Sequence, residues 1–108
     1  MSAQTWSHFP EAVLAGEMSF FKGFTGPDLI DALQRLCHDL MSLAVGAEPR
    51  YFLASHLQAF QQGLKLNRLS AWSKQLIEAA KTAEHPFKLD LMQEAYISQA
   101  QKFIQISK

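Results

Sequence analysis

Cys37, His38 and Asp39 stand side by side in this chain, and a thiol, an imidazole and a carboxylate are the groups of a nucleophile, its base and an orienting acid. On a helix, however, successive side chains point about 100° apart, so the three diverge. A nucleophile and its base must approach within about 3 Å, which this spacing denies them. Cys37 lies among Leu33, Leu36, Leu40 and Met41 and reads as a small buried hydrophobe, whereas His38 falls on the polar side. No catalytic residue is expected. A metal is the second possibility, but the four histidines His8, His38, His56 and His85 never stand three to five residues apart, and no carboxylate pattern joins two of them. No metal site is expected. The third is an anion site at Arg50, which follows Gly46 and Pro49; one glycine with one arginine is a weak form of a phosphate loop. The expectation is that Tyr51 and Phe52 anchor the loop while Arg50 pairs with a nearby carboxylate. No Gly-Lys-Ser/Thr loop occurs, so neither nucleotide hydrolysis of that kind nor a cofactor is expected.

These residues must be positioned by helices, because no stretch alternates apolar and polar residues long enough for a strand. The fold class is all-α, a bundle of five to six helices. A short helix is predicted from Pro10 to Gly16, within a stretch holding Trp6, Phe9, Phe20, Phe21 and Phe24. So many aromatics either cap the core or meet something outside this chain. The second helix starts at Gly26-Pro27, carries Asp28 in its first turn and ends at Gly46. Its apolar side is Leu29, Ile30, Leu33, Leu36, Cys37, Leu40, Met41, Leu43 and Ala44, and its polar side includes Asp31, Arg35 and His38. A third helix is predicted from about Phe52 to Gln62, and a fourth from Arg68 to Ala83, capped by Asn67 and buried through Leu69, Trp72 and Leu76. His85-Pro86 ends it, with His85 in a structural role in the turn. A fifth runs from about Lys88 to Ile106, and its apolar arc is wide enough to predict a second contact surface beyond the bundle. The expected organisation is one domain overall, with an aromatic linker and short helix over 1–24 and the bundle over 25–108.

Ten Lys and Arg balance ten Asp and Glu, so the basic stripe of a phosphate-backbone binder is missing and little nucleic-acid binding is expected. Hydrophobic residues at 48% and charged residues at 19% are the composition of a folding globular chain. A single cysteine excludes an intrachain disulfide. With no signal-peptide pattern and no membrane-length apolar run, a cytoplasmic location without membrane association is expected.

Three strings remain: Leu36-Cys37-His38-Asp39-Leu40 within the longer run from Leu29, Pro49-Arg50-Tyr51-Phe52, and Glu84-His85-Pro86-Phe87. In order and spacing, from about Pro10 onward, they resemble the C-terminal collar domain of the delta-prime subunits of bacterial DNA polymerase III clamp loaders. The resemblance implies a helical domain that follows an ATPase-like region and packs against the collar domains of the delta and gamma or tau subunits. It implies a non-catalytic role in DNA replication, assembling the complex that loads the sliding clamp onto primed DNA. On that reading the chain is an excised domain beginning near its linker. One position departs from the family pattern: Lys88 stands where an asparagine would cap the last helix. The candidate subunit contacts are Arg35, His38, Asp39 and Arg50, with Tyr96, Gln99 and Phe103 on the last helix. The alternative is a DNA-binding helical regulator or other helical adaptor reading through residues 52–83. Arg68, Lys74 and Lys81, with Glu78 among them, are sparse for a reader helix.

Overall fold

The computed structural model describes residues 3–60, 64–81 and 89–104. Four α-helices run in order, α1 (Ala3–Ala15), α2 (Gly26–Ala44), α3 (Leu66–Ala80) and α4 (Leu89–Ile104). Two 3-10 stretches, Met18–Gly23 and Ala54–Phe60, lie between them, and the described residues contain no strand. The fold is an all-α bundle. The string Glu84–Phe87, Lys88 and the ends predicted at Ala83 and Ile106 lie outside the described residues.

α1 begins well before the predicted Pro10 and carries that proline in its interior. An interior proline costs a helix about 3 kcal/mol, and the reason to accept that cost is aromatic. Phe9 is fully buried, with its ring 5.8 Å from those of both Phe21 and Phe24. Trp6 stacks on Phe52 at 4.9 Å. Burying the Phe9 ring contributes about 1.5–3 kcal/mol, and the half-buried Trp6 adds to it, which together offset one broken turn. The aromatic stretch is therefore core: Phe9, Val13, Phe21 and Phe24 share one buried cluster with Leu33, Trp72 and Ile104.

Both α1 and α2 stop in the same way. Gly16 (φ 71°) and Gly46 (φ 80°) take the left-handed backbone open to glycine. The amides beyond them reach back to Ala12 O and Ser42 O, at 3.0 and 2.8 Å. α2 starts from Thr25, whose Oγ1 accepts the Asp28 amide at 3.1 Å, one residue before the predicted Gly26-Pro27 start. Its buried face, Leu29, Ile30, Leu33, Leu36, Cys37 and Leu40, follows the predicted stripe.

The predicted third helix is instead the 3-10 stretch Ala54–Phe60. Its two buried anchors, Leu57 and Phe60, stand three apart, the spacing that a three-residue turn brings onto one side. α3 begins at Leu66, with Lys65 rather than Asn67 at the cap position, and Asn67 Oδ1 takes the amide of Arg68 at 2.9 Å within the first turn. Leu69, Trp72 and Leu76 are buried as expected.

α4 resolves the over-wide apolar arc within the bundle itself. It packs against α1, α2, α3 and the Met18–Gly23 stretch, so several neighbours cover what one could not. Gln93, buried in that setting, donates its side-chain amide to Phe21 O and Phe24 O, both at 2.8 Å. Gln101 donates to Leu14 O at 3.1 Å and lies where a side chain on Gly16 would collide.

Candidate interaction surface

The three adjacent chemical groups on α2 separate, but not in the pattern expected. Cys37 turns inward and donates its thiol to Leu69 O at 3.3 Å. Burial pushes its pKa up from 9.0 to about 12, so it holds its proton and cannot serve as a nucleophile near neutral pH. His38 and Asp39, expected to diverge, meet at 3.1 Å between Nδ1 and Oδ1. Among the described residues no three metal-ligating side chains cluster.

Asp39 is the correction that matters most. It is no surface contact residue: its side chain is fully buried. Taking 100° per residue, Asp39 lies within about 20° of Ala32, which is itself buried, and that puts it on the flank of the packed face. Its carboxylate accepts the amides of Arg50 (2.9 Å), Tyr51 (2.8 Å) and Phe52 (2.7 Å). Three consecutive N–H groups converging on one carboxylate form an anion nest whose anion is supplied by the chain itself. The first two strings are thus halves of one structural unit. Asp39 in the first holds the backbone of the second.

With its backbone donors turned inward, the loop presents its side chains outward. The Tyr51 ring meets the guanidinium of Arg35 at 5.3 Å, that of Arg50 at 5.7 Å and the edge of His38 at 5.4 Å. Arg35 also lies 5.6 Å from the Trp6 ring and pairs with Asp31 at 3.1 Å, the predicted surface pair. Trp6 donates its indole N–H to Tyr51 O at 3.2 Å, which joins α1 to the same loop. Arg50 departs from expectation: its guanidinium has no carboxylate partner among the described residues, and only its backbone amide meets Asp39. The structure therefore brings together Arg35, His38 and Arg50 around Tyr51.

Tyr96, Gln99 and Phe103 lie elsewhere, half-buried on α4. The reason for expecting an outer face there, an apolar arc left uncovered, is removed by the packing of α4. Gln99 Oε1 and the Trp72 indole N–H are buried polar atoms without a partner among the described residues. Sequence reasoning missed Tyr51 as the centre of the cation cluster, Trp6 as its support and Gln93 as the tie between α4 and the aromatic stretch. Arginines and histidines recurring one helical turn apart, Arg35 and His38, beside an Arg-Tyr pair were the available signal.

Among the described residues no helix is long and apolar enough to cross a membrane. No family model, curated protein or solved structure matches the chain.

Proposed function

We propose that this chain is a non-catalytic assembly domain, the collar domain of a clamp-loader delta-prime subunit, working in the cytoplasm in DNA replication. The observation that carries the reading is the carboxylate of Asp39, which ties the string Leu36–Leu40 to the string Pro49–Phe52 through three amides. The resemblance rests on three separated strings, and one physical interaction joins the two of them that the structure describes. The all-α bundle agrees with what a collar domain would be. Arg35, His38 and Arg50 are the contacts this reading now favours, since they form one exposed cluster.

The test is co-elution of the chain with delta and gamma or tau clamp-loader subunits in size-exclusion chromatography. The expected result is a joint complex that Arg35→Ala with His38→Ala weakens while the helical CD signal is unchanged. Separate elution of the parent chain from all three partners refutes the reading.

A further inference from the structure

Beside the Tyr51 cluster the surface is concave. Trp6, Arg50, Tyr51, Leu53 and His56 line a cleft of about 370 Å³, within the range of sites that hold a small ligand or a few side chains. Its floor is fixed: the amides of residues 50–52 are bound to Asp39, and Tyr51 O is bound to Trp6. Its rim is chemically unsatisfied. Leu53 is 65% exposed and Tyr51 37%, while the Arg50 guanidinium lacks a carboxylate among the described residues. Among the described residues no acidic side chain lines the cleft, and Asp39, the carboxylate behind it, has both oxygens occupied.

We propose that this cleft docks an acidic peptide segment of a partner protein, one that carries a leucine or phenylalanine beside a carboxylate. The carboxylate pairs with Arg50, whose planar fork suits it, and the apolar side chain lies against Leu53 and the exposed edges of Trp6 and Tyr51. Charge complementarity selects this occupant: among the described residues the wall offers the Arg50 guanidinium and apolar surface and no anion. Nucleic acid fits less well, because a phosphate backbone needs a run of cations and the described lining supplies one arginine, Arg50. The proposal shares Arg50 with the collar reading but not its test, so either can fail while the other holds.

The experiment is a titration of the isotope-labelled chain, followed by NMR, with acetyl-Asp-Asp-Leu-Phe-Asp-amide. Parallel titrations use a version with Asn for Asp and a version with Ser for Leu and Phe. The expected result is saturable shifts at the Trp6 indole N–H, the amides of residues 50–53 and the Arg50 Nε–H. The Asn version should bind about tenfold more weakly, the loss of one charge-assisted contact, and the Ser version about tenfold more weakly through the loss of buried apolar surface. Arg50→Gln should lose a similar factor for the acidic peptide and discriminate little against its Asn version, because the backbone amide that meets Asp39 is retained. Unchanged core amide shifts in that variant establish that it is folded. Shifts confined to another face, equal binding of the Asn version, or tighter binding of oligothymidylate overturn the proposal. So do concentration-dependent shifts of the cleft residues without peptide, which would make a second copy the occupant.

Discussion

Replacing Asp39 by alanine removes the acceptor for three consecutive amides. The consequence can be worked donor by donor. The Phe52 amide is buried and cannot reach water, so it carries the full cost of an unpaired donor, about 1–3 kcal/mol. The Arg50 and Tyr51 amides are only partly buried and recover hydration, so each loses a fraction of its charge-assisted bond. The sum is about 3–5 kcal/mol, a large share of the ~5–15 kcal/mol that holds a domain of this kind together. Asparagine discriminates the mechanism. With its carbonyl at the Oδ2 position it keeps Tyr51 and Phe52, and its NH2 then opposes the Arg50 N–H, so about 1.5–3 kcal/mol is lost. Urea unfolding, followed by tryptophan fluorescence and by CD at 222 nm, measures both. Trp6 reports on the loop it is bonded to, and Trp72 on the core. An alanine variant within about 1 kcal/mol of the parent, or an asparagine variant as destabilised as alanine, refutes the carboxylate-nest account.

Two further outcomes follow from buried groups on α2 and α4. Because the Cys37 pKa is raised from 9.0 to about 12 in the folded state, the folded chain holds a proton that the unfolded chain releases first; its stabilising effect is complete below pH 9 and is lost as pH rises from there toward 12. Urea midpoints across that window should fall more steeply for the parent than for Cys37→Ala, and a thiol reagent at neutral pH should label Cys37 only at the rate of opening. Gln93→Leu leaves Phe24 O without its side-chain donor while Phe21 O keeps the Phe24 amide, and urea unfolding should show a loss of about 2 kcal/mol with the helical CD signal retained.

α2 was readable from its sequence because every local signal agreed: a Pro in the first turn, an acidic residue behind it, one apolar stripe and a closing glycine. The other elements were less legible where tertiary contacts outvoted local ones. Pro10 looked like a helix start because proline favours that position, but the burial of Phe9 and the stacking of Trp6 carry α1 through it. Asn67 looked like a cap, yet helix α3 begins ahead of it, at Leu66. Asp39 is the instructive failure at the site. An acidic residue beside a histidine reads as surface, and nothing in the helix period alone shows that a loop eleven residues later will deliver three amides to it. Arg50, His38 and Arg35 were legible as residues but not as a group, since Tyr51 and Trp6 assemble them only through the fold.

The central place of α4 also sets the order in which this chain can be completed during synthesis. Gln93, Ile97, Ala100 and Ile104 fill space bounded by α1, α2 and α3. At about 5–20 residues per second, the earlier helices wait a second or more beside an unfilled core before α4 is made. Of two polar ties from α2 to later segments, the Asp39 nest closes over the shorter separation, eleven to thirteen residues, whereas the Cys37 thiol on Leu69 O closes thirty-two. The nascent chain therefore exposes the apolar surface that α4 covers until that helix arrives.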